Sequence, residues 1–177
     1  MAKIVLFENE PHFVREVVEQ LEIGGHELIG QADHIGTAFD MLREMADGSL
    51  NPDVLIIDGT LDDANGPTSF TYCHVDQFVS HAVKQGLFLK RPKAIETPKI
   101  TTVELDMTRN TQRHSRAILQ IVDRLDIDVR TVGFSLSAMI DDVRPDRDNR
   151  KFPRFLNADI KRVLAEPKLR DREAGKQ

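Results

Sequence analysis

Pro52-Asp53-Val54-Leu55-Ile56-Ile57-Asp58-Gly59 decides the fold. Pro and Asp open the stretch, four aliphatic residues follow without a polar break, and a carboxylate ends it before a glycine. A short β-branched and aliphatic run bounded by turn residues reads as a strand buried on both faces, as in a parallel sheet. Ligand chemistry in open α/β sheets gathers beyond the carboxyl ends of such strands. Asp58 is therefore a candidate reactive group. Strands often end in Asp before a Gly turn, so the stretch alone leaves the plain reading open.

A second run, Lys3-Ile4-Val5-Leu6-Phe7, ends in Glu8-Asn9-Glu10-Pro11. Two parallel strands ending in Glu8, Asn9 and Asp58 would bring oxygen ligands around one small volume. Hard oxygen ligands suit Mg²⁺, which takes one or two carboxylates and keeps several waters. Such a cation neutralises charge on an incoming phosphoryl group while a carboxylate attacks as nucleophile.

Between and beyond these runs the chain alternates. Phe13, Val14, Val17, Val18 and Leu21 recur at helical spacing, and Gly24-Gly25 stops that helix. Residues 27–32 read as a second strand, and Thr37 opens a helix that ends at Asp47-Gly48. Residues 70–85 read as a helix with Val75, Phe78, Val79 and Ala82 facing inward, ended by Gly86. The Pro-broken stretch 87–96 reads as an insertion, 98–103 as a fourth strand and 129–136 as a fifth. Between those two strands, Ile118, Ile121, Val122 and Leu125 mark a helix, on which Arg109, Arg113, His114 and Arg116 read as a solvated face. The charged stretch 141–150 reads as a solvated loop. Phe155, Leu156, Ile160, Val163 and Leu164 form the face of a last helix closed by Pro167. Five βα units in this order make a three-layer α/β sandwich.

Composition narrows the function. At 177 residues the chain is expected to be one domain, 1–167, with insertions at 86–97 and 137–151 and a charged tail at 168–177. A formal net charge of -5 opposes a dedicated nucleic-acid surface. No run approaches the roughly 18 apolar residues of a membrane span, and the N-terminus enters a strand at once, without a signal-peptide pattern. The lone Cys73 forms no internal disulfide, which fits a reducing cytoplasm. His74 and His81 with Cys73 fall short of the four ligands of a zinc site.

Taken together, residues 3–11 and 52–66 resemble response-regulator receiver domains. Lys3 to Pro11 is similar to their first strand and its acidic end. The loop Asp58-Gly59-Thr60-Leu61-Asp62-Asp63-Ala64-Asn65-Gly66 carries Leu61, Asp63 and Gly66 where the family commonly has Leu, Asp and Gly. The resemblance implies a flavodoxin-like α/β/α sandwich with a five-stranded parallel sheet. It also implies phosphorylation of Asp58, with Mg²⁺ held by Glu8, Asn9, Asp58 and the Thr60 carbonyl. Asn9 departs from the pattern, standing where the family usually has a second metal-binding Asp. The family's Ser or Thr at the end of the fourth strand maps to Thr102, with Thr101 next. Its Lys at the end of the fifth strand is missing from Phe134-Ser135-Leu136-Ser137. Lys151, before Phe152-Pro153, and Lys90 are the two substitutes; Lys151 is favoured over no lysine at all, and an ordinary surface lysine is the plainer reading of either.

The expected function is a stand-alone, cytoplasmic receiver-like domain of a two-component phosphorelay. It would accept a phosphoryl group from a histidine kinase or histidine phosphotransfer protein and switch binding to a downstream protein, without contacting nucleic acid or membrane. It would not be an enzyme beyond its own phosphorylation and dephosphorylation. The alternative is a phosphorylation-independent pseudo-receiver interaction module, which Asn9 and the missing Lys favour and Glu8, Asp58 and Thr102 oppose. A third resemblance ranks last: Asp58-Gly59-Thr60-Leu61 is similar to the core of haloacid-dehalogenase-type phosphohydrolases, with Ile140-Asp141-Asp142 as their late acidic motif. That family's nucleophile would fall on Ile56, and an apolar residue cannot attack phosphorus.

Overall fold

The two apolar runs become β1 (Lys3–Phe7) and β3 (Val54–Ile57), adjacent parallel strands with Phe7 opposite Ile57. In the computed structural model, which describes residues 1–62, 69–74, 99–104, 113–135, 145–149 and 151–167, they lie inside a five-stranded sheet. The other strands are β2 (Glu27–Ala32), β6 (Arg130–Gly133) and β7 (Arg147–Asp148), in the order β2-β1-β3-β6-β7. Every pairing in this sheet is parallel. Strand order reverses between β1 and β3, the point beyond which open α/β sheets generally bind ligands.

Alternation along the strands explains the layers. Val5, Phe7, Leu55 and Ile57 face one apolar cluster, while Ile4, Leu6, Val54 and Ile56 face another; all eight are fully buried. The first cluster is closed by α2 (Ile35–Asp47) and α3 (Arg113–Arg124), the second by α1 (Pro11–Gly24) and α4 (Leu156–Ala165). Pro11 suits the first turn of α1, where its missing N–H costs nothing. Gly25 (φ 67°) and Gly48 (φ 80°) end α1 and α2 in the left-handed region, which glycine enters without a Cβ penalty.

The second half differs from the expected order. Residues 69–74 are not helical but form β4 (Ser69–His74), and the expected fourth strand is β5 (Lys99–Glu104). These two pair antiparallel as a separate ribbon outside the main sheet. Phe70 is buried, Thr71 exposed, Tyr72 half-buried and Cys73 exposed, and such alternation of aromatic and β-branched residues suits a ribbon with one covered face. The helical pattern of 75–85 and the insertion at 86–97 lie outside the described residues. The strand expected to be fifth, β6, therefore stands fourth in the sheet.

The fifth place belongs to β7, inside the expected solvated loop 141–150. Its polar residues are tolerated because it is a short edge strand whose surroundings are paired. Arg147 Nε donates to Asp159 Oδ1 of α4 at 2.8 Å, and Asp146 Oδ2 accepts the Thr131 N–H at 2.8 Å. Residues 136–144, which include most of the expected insertion 137–151, and the tail 168–177 lie outside the described residues.

Phe70 attaches the ribbon to the body, its ring edge-on to Phe39 of α2 at 5.2 Å and beneath the Arg43 guanidinium at 4.9 Å. Phe70→Ala should cost about 3–5 kcal/mol, the usual range for emptying an aromatic core site, when urea unfolding is compared with wild type. A loss below about 1 kcal/mol would mean that the ribbon is not part of the cooperative core.

Candidate functional site

Parallel register assembles the site. With Phe7 opposite Ile57, the next residues on the two strands, Glu8 and Asp58, emerge side by side at the carboxyl edge. Asp58 N–H continues the ladder to the Phe7 carbonyl at 2.8 Å, and Glu8 N–H bonds the Ala32 carbonyl at 2.9 Å. Both carboxylates are buried: Glu8 is 0% exposed and Asp58 5%. Two such groups together demand a counter-charge or a proton.

Lys151 supplies the counter-charge. Its Nζ lies 3.2 Å from Asp58 Oδ1, 3.2 Å from Glu8 Oε2 and 2.8 Å from Glu10 Oε1. The Lys151 side chain is 3% exposed, and its ammonium also sits 4.4 Å from the centre of the Phe13 ring. Its backbone is in the left-handed region at φ 55°, an uncommon conformation for a residue with a Cβ. Asn149 supports that turn: its Oδ1 accepts the Phe152 N–H at 2.7 Å, and its Nδ2 donates to buried Asp159 at 2.6 Å.

Burial sets the titration of these groups. It pushes the Glu8 carboxyl up to about 7, helped by repulsion from Asp58 and opposed by the Glu10 amide and Lys151. Burial also raises Asp58 above the usual carboxylate range, against the pull of Lys151 and the Gly59 and Thr60 amides. Burial works against the Lys151 charge. The bond to Glu10 and the attraction of Asp58 and Glu8 outweigh it, so the ammonium is held more firmly than usual.

The sequence-derived residues divide clearly. Glu8, Asp58 and Lys151 converge. Asn9 follows Glu8, but its Nδ2 donates to Asp62 Oδ1 at 2.8 Å. Thr60 turns its N–H to Asp58 Oδ2 at 3.2 Å. Thr102 belongs elsewhere: it lies on the β4–β5 ribbon, exposed, facing Thr71 across the strands at 3.5 Å. Thr101 shares that ribbon. The fourth strand of the sheet is β6, so the hydroxyl at its carboxyl end is Ser135, 7% exposed. Phe134 N–H bonds the Ile57 carbonyl at 2.7 Å, which carries the pairing to the residue before Ser135.

Two further groups escaped the sequence reading. Glu10, two residues after Glu8, makes the shortest contact to Lys151. His114 is not on a solvated face but fully buried, and its Nδ1 accepts the Leu61 N–H at 2.8 Å. The signal for it was present: 114, 118, 121 and 125 form one helical stripe, and the other three positions are Ile118, Ile121 and Leu125. Lys90, Arg109, His81 and Ile140-Asp141-Asp142 lie outside the described residues. Ile56, where a dehalogenase-type nucleophile would stand, is a core residue with no exposure.

Glu8 Oε2, although 3.2 Å from the Lys151 ammonium, makes no hydrogen bond and is a buried oxygen left unsatisfied. Two carboxylates on neighbouring strand ends, one with such an oxygen, are a donor set that fits a hard divalent cation. Among the described residues no three His, Cys, Asp or Glu side chains form a metal-ligating cluster, so water would complete the shell. None of the described helices is long and apolar enough to cross a membrane.

This fold, with acidic groups and a lysine at the carboxyl edge of a β2-β1-β3 parallel sheet, is that of a receiver-like domain. Solved structures bear out the fold. The chain is similar to the signal receiver domain of the response regulator NarL from Mycobacterium tuberculosis, with a TM-score of 0.55 and 10% identity over 94% of this chain and 98% of that one. It is also similar to the receiver domain of PhyR from Erythrobacter litoralis, with a TM-score of 0.50, 13% identity and 94% of each chain covered. A third likeness is to RcsB from Salmonella enterica serovar Typhimurium, bound to promoter DNA with a phosphomimetic, at a TM-score of 0.51 and 10% identity over 94% of this chain and all of that one. No protein-family model matches the chain, and neither does any curated protein.

The Glu8 carboxyl gives a pH test. Its folded-state pKa of about 7 lies above its ordinary 4.5, so the folded chain holds this proton more tightly than the unfolded chain. Stability is then greatest below about 4.5 from this group and falls as pH rises through about 7, and Asp58, also raised, contributes with the same sign. Urea unfolding should show a loss of roughly 2–3 kcal/mol between pH 5 and 8. Glu8→Gln should flatten most of it, and an unchanged slope in that variant would place the titration elsewhere.

Proposed function

We propose that this chain is a receiver-like signalling domain whose Asp58 carboxylate accepts a phosphoryl group. In the transfer, a carboxylate oxygen of Asp58 forms a bond to phosphorus as the donor's phosphorus–nitrogen bond breaks. The product is an acyl phosphate, and the donor imidazole leaves with a proton. The observation that carries this reading is the Lys151 ammonium 3.2 Å from Asp58 Oδ1. A fixed cation there meets the negative charge that develops on the phosphoryl oxygens. Glu8 and Asp58, with Asn9 and the Thr60 carbonyl, would hold Mg²⁺, which when bound supplies further charge neutralisation. Ser135 would contact the transferred group in the role first assigned to Thr102.

The donor would be a histidine kinase or a histidine phosphotransfer protein in the cytoplasm, and a downstream protein would read the result. Added charge acting on a two-state element is the physical basis of such switches. The protein would be no enzyme beyond its own phosphorylation and hydrolysis. One observation favours a second reading, a pseudo-receiver that binds its partner without phosphorylation: Asn9 carries no charge and its amide is engaged with Asp62.

Acetyl phosphate with Mg²⁺ should add one base-labile phosphoryl group, and Asp58→Ala should abolish it. Lys151→Ala should slow the addition on the order of a hundredfold, as for loss of one preorganised charge stabiliser. No modification by any donor, together with partner binding that survives Asp58→Ala, would establish the pseudo-receiver instead. Asn9→Asp should bind Mg²⁺ more tightly in a direct titration, because it restores a charge to the site. Equal affinities would remove residue 9 from the ligand set.

A further inference from the structure

Residues 63–112, including the β4–β5 ribbon, separate the loop after Asp58 from helix α3. A short connection would fix that loop by covalent geometry; here hydrogen bonds rejoin it. Leu61 N–H donates to His114 Nδ1 at 2.8 Å, and Ser115 N–H donates to the Gly59 carbonyl at 3.4 Å. On its other side the loop is pinned by Asp62 N–H on the Asp33 carbonyl at 3.0 Å and Ile35 N–H on the Asp62 carbonyl at 3.1 Å. Leu61 is 1% exposed and His114 0%, so water cannot replace the bond between them. An imidazole nitrogen accepts only when it carries no hydrogen, so His114 is neutral and protonated on Nε2.

The consequence reaches the carboxylate through one peptide unit. Thr60 N–H, adjacent to the pinned Leu61, donates to Asp58 Oδ2 at 3.2 Å, and the Gly59 amide also bonds Asp58. We propose that His114 is a positioning residue for Asp58: by holding the Leu61 amide it keeps the Gly59 and Thr60 amides aimed at the carboxylate, across a connection too long to do so itself. The proposal rests on the reading of Asp58 as the reactive group. The role needs an acceptor at the place of Nδ1, whereas a histidine that merely fills the core needs only volume.

That difference sets the test. In the full chain, His114→Asn puts an amide oxygen near the place of Nδ1, His114→Gln reaches toward the place of Nε2, and His114→Phe fills space without an acceptor. Amide exchange at Thr60 and Leu61 and the carboxyl titration of Asp58 are followed by NMR in each. The expected result is near wild-type behaviour in His114→Asn. In His114→Gln and His114→Phe both amides should exchange about tenfold faster, as for loss of one buried hydrogen bond. The Asp58 midpoint should rise in both as it loses amide donors. Wild-type exchange and midpoint in His114→Gln and His114→Phe, whatever their thermal stability, would overturn the proposal. If His114→Phe does not fold, the Asn and Gln variants decide alone, and indistinguishable behaviour there overturns it too. Acetyl phosphate applied to the same set separates the two readings. Failure to modify any of them, wild type included, overturns the acceptor role of Asp58, while the NMR readouts still decide the role of His114.

Discussion

A single ammonium holds the carboxyl edge of the sheet together. Parallel register brings Glu8 and Asp58 out of adjacent strand ends into a buried space. Lys151 lies within 3.2 Å of both and within 2.8 Å of Glu10. Truncating one partner of such a group leaves an uncompensated charge, which costs far more than the pair contributes. The burial of α4, the edge strand β7 and the Asn149 turn all serve to bring this lysine to its place.

The left-handed backbone at Lys151 is the visible cost of that delivery. A non-glycine residue there gives up on the order of 1 kcal/mol or more, and the surrounding bonds offset it. Asn149 contributes four, one to Gly133, one to Asp159 and two from the Phe152 N–H. Asp159, buried on α4, binds both Asn149 and Arg147. The lysine is thus aimed by a polar network on the sheet's edge rather than by apolar packing, which explains why a strand forms where composition alone suggests a solvated loop.

The first half of the fold was legible because its signals are local. The runs at 3–7 and 54–57 are too apolar for anything but buried strands, and the helices between them carry caps and stripes at the right spacing. Glu8 and Asp58 followed from those runs. The second half was misnumbered because strand 99–104 looks like any other strand, and only its partner, β4, removes it from the sheet. Counting it as fourth placed the expected hydroxyl on the ribbon at Thr102 rather than beyond β6, where Ser135 lies, and made the strand before Lys151 invisible. His114 was hidden for a different reason. Its polarity suggested solvent, whereas a buried polar group is ordinarily hydrogen-bonded, and the His114 Nδ1 accepts the Leu61 N–H.

The distance along the chain between the charges has a bearing on biosynthesis. Lys151 follows Glu8 by 143 residues, so a chain emerging from the ribosome carries both carboxylates long before their cation exists. Domains fold as synthesis proceeds, and an early β1–β3 unit must leave its acidic pair hydrated or supply a proton, because buried carboxylates without a counter-charge are unfavourable. The lysine then joins an edge whose Glu8 carboxyl still holds its proton more tightly than an ordinary carboxyl does. The counter-charge is thus the last group of the pocket to be synthesised, and a chain ending before residue 151 would leave Glu8 and Asp58 without it.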